Sequence, residues 1–571
     1  MLQVISLSSL VHTQGSPRAS SGLDDVSFTV PKSHLLGVIG AADSGRQQLL
    51  ELLAGLRTPT GGRIHFQRRD LTTTPPGPGE LGHVAPAEDS LSGLLTVRES
   101  LMSAHLLRVG GQTPEQRVDK VSHLLVATGL ETVAAQRVAH LSAAQRRRLL
   151  LALALVSEAS LVLCDEMAAG LDVRSQQEMA ALLKHITHDR PGRIVIHATE
   201  MLGNLAVYDS VLVLHEGRVC FHGPPRALAH YFSISTVEEL YPRLAKRPAE
   251  RWAESWSRHR DSYYDAFQMQ EAPAQPPLSA ESLELENQEA AGASAGGTPL
   301  PGLAAQAAHL LRRRWTLWRR GQREWSEHLA LLILCPLTTM LLVASNTGYL
   351  SEMRAGNTAP EALWPAAYTC AMVLLTQVLM ITLISLRTAF REVAGARALL
   401  ERERIGGVRP LACLAAALGF LVPLMAAHGA ALVLLTDLTG ASLPGQAGLR
   451  LLLLMLTGVT FGCLCLGISA HSRSPAAAQA GAWKLWAANL LLSGALLGFP
   501  RPLGMILQPF LTMHQGWSGS VETLAGLAVF KPITHFVRTW FATPELAIFW
   551  LLVQAVVGIA LAAWGLRRRS P

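Results

Sequence analysis

Leu35-Leu36-Gly37-Val38-Ile39-Gly40-Ala41-Ala42-Asp43-Ser44-Gly45-Arg46-Gln47-Gln48 is the stretch whose reading decides the fold. An apolar run ends in a glycine, and a second glycine leads into the helix start Leu49-Leu50. The spacing is that of the phosphate-binding loop G-x-x-x-x-G-K-[ST]. In such loops glycines let backbone N–H groups wrap phosphates, a lysine reaches the outer phosphates, and a hydroxyl holds magnesium. Here Arg46 replaces the lysine and Gln47 the hydroxyl residue. The predicted cradle, Gly40, Ala41, Ala42, Asp43, Ser44, Gly45, Arg46, Gln47 and Gln48, is kept, and two chemical contacts change. Arg46 keeps a positive charge, but its flat guanidinium cannot sit as a compact ammonium does. Gln47 is a neutral and longer magnesium ligand, so hydrolysis is expected to suffer more than nucleotide binding.

The surrounding pattern is α/β. Residues 1–235 alternate short β-rich runs, at 26–30, 35–39, 160–164, 193–197 and 210–214, with longer helical patterns. Leu161-Val162-Leu163-Cys164-Asp165-Glu166 is an apolar strand ending in two acids. Asp165 is expected to hold magnesium and Glu166 to polarise an attacking water. Leu141-Ser142-Ala143-Ala144-Gln145-Arg146-Arg147-Arg148 precedes that strand, and Gly170-Leu171-Asp172 follows it. Ile194-Val195-Ile196-His197 is a further strand, and Leu95-Thr96-Val97-Arg98-Glu99-Ser100-Leu101 lies upstream.

In order and content these motifs resemble an ABC transporter nucleotide-binding domain. Residues 141–148 are similar to its Leu-Ser-Gly-Gly-Gln signature. The resemblance runs nearly the whole length and is nearest to the G-like half-transporters, in which one cassette precedes one six-span membrane domain. It implies ATP and Mg2+ as cofactors, Ser142, Ala143, Ala144 and Gln145 as the signature, Asp172 as the D-loop acid and His197 as the switch histidine. Ala143 and Ala144 replace glycines, so restricted backbone angles and a longer approach to a partner's phosphate are expected. Val84-Ala85-Pro86-Ala87-Glu88-Asp89 sets Ala87 where a Q-loop glutamine would stand. In the family each site pairs one subunit's phosphate loop with the other's signature. No partner then restores a consensus site, and slow hydrolysis is expected.

The second half reads as membrane. Of the 571 residues, 49% are hydrophobic. Six apolar segments, about 329–345, 364–386, 411–435, 449–471, 476–499 and 547–566, approach or exceed the roughly 20 residues that cross a bilayer. Met1 to Gly22 lacks a signal-peptide pattern, which predicts cytoplasmic N- and C-termini around six spans. Arg312–Arg314, Arg387, Arg391, Arg397, Arg402, Arg404, Arg473 and Arg567–Arg569 then lie inside, as the positive-inside rule expects, while Arg354, Arg450 and Arg501 fall outside. This topology accounts for most of the +7 net charge, so no nucleic-acid partner is expected. The seven cysteines are scattered, and Cys463-Leu464-Cys465 reads as packing. Residues 236–303 are expected as a helical extension and low-complexity linker, 304–327 as an amphipathic connecting helix on the inner membrane surface, and 328–571 as the membrane domain.

Three further features bear on function. Arg397, Glu401 and Arg404 lie on the one long cytoplasmic loop between spans, the coupling element of G-like transporters. Lys484 sits inside the fifth apolar segment, and two readings stand: snorkelling to headgroups between Trp483 and Trp486, or meeting an acidic substrate in a cavity. His428 reads as a helix-packing hydrogen-bond donor. The chain thus reads as an ABC half-transporter, a homodimer or a heterodimer with a second half-transporter. It would couple ATP binding and hydrolysis to export of a hydrophobic or lipid-like substrate. The alternative is a nucleotide-binding, catalytically poor regulatory or scaffold subunit of a partner transporter.

Overall fold

A computed structural model describes residues 1–9, 22–67, 69–74, 76–77, 79–85, 90–267, 299–344, 356, 359–438, 443–495, 501–537 and 540–567. The chain divides into two compact units: Met1–Gly302 with Glu401–Val408, and Leu303–Leu400 with Arg409–Pro571.

The first unit is α/β. Strands β1 (Leu2–Ser9), β2 (Leu23–Val30), β4 (Gly61–Phe66) and β5 (Arg69–Asp70) form an antiparallel sheet in the order β2-β1-β4-β5. The larger sheet runs β10 (Arg218–Gly223), β9 (Ser210–His215), β3 (His34–Ile39), β8 (Ile194–Thr199), β7 (Leu161–Asp165), β6 (Leu81–Val84). All its neighbours pair in parallel except β9 with β10. β8 is buried at every position and β3 at all but its first. Strands covered on both faces are mostly apolar, which is why these carry the runs Leu35-Leu36, Val38-Ile39 and Ile194-Val195-Ile196.

The expected extension after residue 235 contributes to this unit's core. Helix α8 (Ala249–Ala266) buries Trp252, Trp256 and Tyr264. Phe221 of β10, fully buried, is ringed by Tyr231, Phe232, Trp256 and Tyr263 with centroids 5.2–6.1 Å away. Aromatic contacts of this kind add directional packing to a large burial term. Residues 401–408 also belong here. The buried Arg108, at the end of α2 (Val97–Arg108), donates to the carbonyls of Leu153 (2.8 Å) and Arg402 (3.4 Å). A Cβ on Gly406 would come within 2.2 Å of Arg108 Nε, so any larger residue here would have to displace the Arg108 side chain.

The second unit is helical. Gln322–Leu342, Pro360–Ala394, Pro410–Thr436, Ala447–His471 and Pro544–Arg567 are long and apolar enough to cross a membrane. Among the described residues the count is five, against the six expected. The segment expected at 476–499 forms the 18-residue helix Pro475–Leu492, interrupted in polarity by Gln479 and Lys484, and 496–500 fall outside the described residues. The last two of the five pack closely, because a Cβ on Gly558 would sit 2.6 Å from the Cys463 backbone. Small residues allow such approach between apolar helices. Cys463 is buried there as expected, and no metal-ligating cluster occurs among the described residues.

The connecting helix forms over Leu303–Arg320, but its apolar face is covered by protein. Trp315 lies 4.8 Å from Phe420 of the Pro410–Thr436 helix, and Arg314 stacks over the same ring. Arg314 is paired with Glu392 at 2.6 Å and Glu324 at 3.1 Å. His428 bridges helices as expected, with Nδ1 bonded to the Leu424 carbonyl and Nε2 3.1 Å from His328 Nδ1. Arg450, an exception to the charge rule, is buried and donates to the carbonyls of Pro444 (2.5 Å) and Leu443 (2.9 Å). Its charge closes a turn.

Truncating the aromatic hub tests the cassette core. Phe221→Ala is expected to cost about 3–5 kcal/mol, whereas Val126→Ala, at a position 59% exposed, should stay within about 0.5 kcal/mol. Urea unfolding of the full chain, followed by tryptophan fluorescence, distinguishes them; similar midpoints would contradict this packing.

Candidate nucleotide site

The site is assembled at the carboxyl ends of three adjacent parallel strands. β3 leads into the 40–45 loop, β8 ends before Glu200, and β7 ends at Asp165 before Glu166. Ligands of open α/β sheets bind at this edge. In the loop, Gly45 takes φ +93°. A Cβ on Gly40 would fall 2.2 Å from Ser44 Oγ and 2.6 Å from the Leu214 carbonyl. Both motif glycines are therefore demanded by the backbone itself. The Ser44 N–H closes the turn on the Ala41 carbonyl at 3.0 Å. Ala41, Ala42, Asp43 and Gln47 are exposed, while Ser44, Gly45 and Arg46 are buried. Helix α1 (Arg46–Leu53) follows, presenting Gln48 partly exposed on its first turn.

Arg46 is the centre of the site. Its side chain is 7% exposed. Nη1 donates to Glu166 Oε1 at 2.5 Å and Nη2 to Glu200 Oε1 at 2.7 Å. Glu166 sits at φ +49°, an uncommon conformation for a non-glycine residue. Its N–H donates to the Ala198 carbonyl at 2.9 Å, and its Oε1 also accepts the Glu200 N–H at 3.1 Å. Tyr241 Oη donates to the Glu200 carbonyl at 2.6 Å and lies 3.3 Å from the Gly40 carbonyl. Burial pushes the Tyr241 phenol up to about 12 and, with Glu166 beside it, the Asp165 carboxyl up to about 6.

His197 departs from its expected place. It lies within β8, 2% exposed, with Nε2 accepting the Met167 N–H at 3.2 Å and Nδ1 2.7 Å from Tyr208 Oη. Burial drives it down to about 4, so it is a neutral core residue. The strand runs two residues further than expected, to Thr199, and the side chain that reaches Arg46 from its end is Glu200. Sequence reading missed both Glu200 and Tyr241. The available signal for Glu200 was an acid directly after an apolar strand, as at Asp165-Glu166.

The signature residues build a helix start. Ser142 caps α4 (Ala143–Leu155): its Oγ accepts the Gln145 N–H at 3.2 Å, and Gln145 Oε1 accepts the Ser142 N–H at 2.9 Å. This reciprocal pair is a capping box. Ala143 and Ala144 have ordinary helical backbone, so the expected angular restriction does not arise; only the added methyl groups remain. Asp172 caps α5 (Val173–Asp189) through the Ser175 N–H at 2.9 Å, and its bonds to Ser175 lower its pKa. The Q-loop positions 86–89 lie outside the described residues.

The remaining candidates belong to other elements of the two units. Arg397 belongs to the second unit and donates to the Ser472 carbonyl, whereas Glu401 and Arg404 belong to the first. There Arg402 reaches Ser90 Oγ at 3.4 Å. Lys484 is exposed on its helix beside Trp483.

The loop fits phosphate. The glycine loop is formed, and Ser44 Oγ is buried with no hydrogen-bond partner among the described residues. The magnesium set is altered: Gln47 offers an amide in place of a hydroxyl, its Nε2 donating to Glu51 Oε1 at 3.1 Å, and burial raises the Asp165 carboxyl to about 6. Magnesium takes oxygen ligands, and Asp165 and Gln47 are the residues that would hold it.

Residues 23–169 match the family model described as ABC transporter. The ABC transporter ATP-binding/permease protein Rv1747 of Mycobacterium tuberculosis is 30% identical over 228 residues, 40% of this chain and 26% of that protein. The methionine import ATP-binding protein MetN of Brucella abortus is 29% identical, over 36% of this chain and 56% of that protein. The sulfate/thiosulfate import ATP-binding protein CysA of Mycobacterium bovis is 32% identical, over 36% and 57%. The chain thus spans about a quarter to just over half of the length of these curated relatives. A solved dimer of the ATP-binding cassette MJ0796 with ADP and Pi aligns at TM-score 0.35 and 19% identity, over 39% of this chain and 98% of that one. The N-terminal part of the chain is therefore an ABC transporter nucleotide-binding domain, followed by a helical region with several apolar helices.

Proposed function

We propose that the chain is an ABC half-transporter of the G-like type, working as a dimer and moving a hydrophobic or lipid-like molecule outward. The observation that carries this reading is one ABC nucleotide-binding domain joined on one chain to five helices long and apolar enough to span a membrane. Gly40, Ser44 and Gly45 would hold nucleotide phosphates, and Ser142 and Gln145, at an exposed helix start, would meet those of a second subunit. Bound nucleotide supplies the energy that draws two cassettes together, and closure would switch the spans between inward- and outward-open states. Segment 401–408, seated against Arg108 and Ser90, would carry that motion. Lys484, exposed beside Trp483, would snorkel to anionic headgroups or meet an anionic substrate.

The clamp on Arg46 favours a second reading, a subunit that binds nucleotide and regulates a partner with a better site. Glu166→Gln separates the two. Substrate transport into inside-out vesicles should be abolished under the first reading and unaffected under the second.

Two outcomes follow from the site and the segment. Arg46→Lys with Gln47→Thr is expected to raise ATP turnover by about tenfold or more, a gain of ~1.4 kcal/mol in the barrier. Phosphate release by the purified protein measures this; turnover equal to that of the unaltered chain would contradict it. Glu401→Lys should reduce transport per ATP hydrolysed while changing nucleotide affinity less than about twofold, a free-energy change near ~0.4 kcal/mol. Parallel loss of both quantities would place the segment in cassette folding instead.

A further inference from the structure

Glu200 belongs to none of the motifs, yet its carboxylate reaches the one cation of the phosphate loop, at 2.7 Å. We infer that Glu200 is an internal competitor for Arg46: it occupies the guanidinium that a nucleotide's outer phosphates would otherwise meet, and so sets nucleotide affinity. The inference rests on the reading that the loop binds nucleotide.

Three observations carry it. First, both terminal nitrogens of Arg46 are committed, one to Glu166 and one to Glu200, on a side chain only 7% exposed. A guanidinium pairs with carboxylate and phosphate through the same planar fork of N–H donors, so the two anions compete for one geometry. Second, Glu200 is held by its main chain on both sides. Its N–H donates to Glu166 Oε1 at 3.1 Å and its carbonyl accepts from Tyr241 Oη at 2.6 Å. The fold therefore delivers the carboxylate to Arg46. Third, the two arms differ in exposure: the Glu200 side chain is 50% exposed and that of Glu166 21%. An incoming phosphate displaces the solvent-side arm first, because the more exposed ion pair is the weaker one. Arginine suits this arrangement, since its planar fork offers one terminal nitrogen to each acid.

The test is equilibrium binding of a fluorescent ATP analogue, with unlabelled ATP as competitor, to the full chain in lipid nanodiscs. Glu200→Gln removes the charge and keeps the size. It should tighten binding about fivefold, the worth of a partly exposed ion pair. Glu200→Ser serves the same purpose should the amide variant fold poorly, as judged by its melting temperature. In an Arg46→Gln background the gain should vanish, because the competitor then has nothing to compete for. Equal affinity for the native chain and Glu200→Gln overturns the inference and leaves nucleotide binding intact. A gain that persists without Arg46 also overturns it, since simple repulsion between Glu200 and phosphate would then suffice. Failure of every form, the native chain included, to bind the analogue overturns both the inference and the reading beneath it.

Discussion

A buried guanidinium must be paired, and in this chain that requirement organises the nucleotide site. Leaving one partner of a buried ion pair alone is strongly destabilising, typically about 3–5 kcal/mol. Arg46 meets the requirement within its own unit, drawing Glu166 from the end of β7 and Glu200 from the end of β8 to the loop that follows β3. The three strands are neighbours in one parallel sheet, so the pairing ties together their carboxyl edges. The unusual backbone of Glu166 is held between the Ala198 carbonyl and the guanidinium. A loop with the spacing of a phosphate-binding loop thus carries an arginine whose side chain is already held.

The loop and the magnesium set respond differently to the changes at 46 and 47. The loop backbone is shaped by its glycines regardless of side-chain chemistry, so the cradle tolerates those changes. Magnesium depends on particular oxygen atoms, and at 47 an amide stands in place of a hydroxyl. Gln47 donates from its amide nitrogen to Glu51, which also pairs with Arg57 at 2.6 Å. Burial, with Glu166 beside it, raises the Asp165 carboxyl.

Segment 401–408 shows a comparable shift from charge to shape. Its acidic and basic residues drew attention in the sequence; within the first unit the Arg402 side chain reaches Ser90, and the Arg402 main chain and the bare backbone of Gly406 meet Arg108. A helix face rich in charge advertises itself in composition, whereas a close approach of backbone to a buried arginine does not. The connecting helix is alike: its apolar face carries Trp315 and Trp318, while Phe420, which lies against both, is about a hundred residues away in sequence.

What the sequence alone determined was local and periodic. The glycine spacing, the strand ending in Asp165-Glu166, the apolar runs in β3, β8 and β9 and the long apolar helices could all be read, because each depends on neighbours in the chain. Strands β1, β4, β5, β6 and β10 were not read; β4 opens on Gly61-Gly62-Arg63, and the places of β1, β4 and β6 come from pairing with distant segments. His197, expected at the end of its strand, lies inside it for a similar reason: the end of β8 is set by its register with β3 and β7, which runs on through Ala198. Only the tertiary structure decided that Glu200 faces Arg46, that Tyr241 pins it, and that residues 401–408 group with the cassette. Those are contacts across 154, 41 and nearly 300 residues, fixed by sheet order and packing.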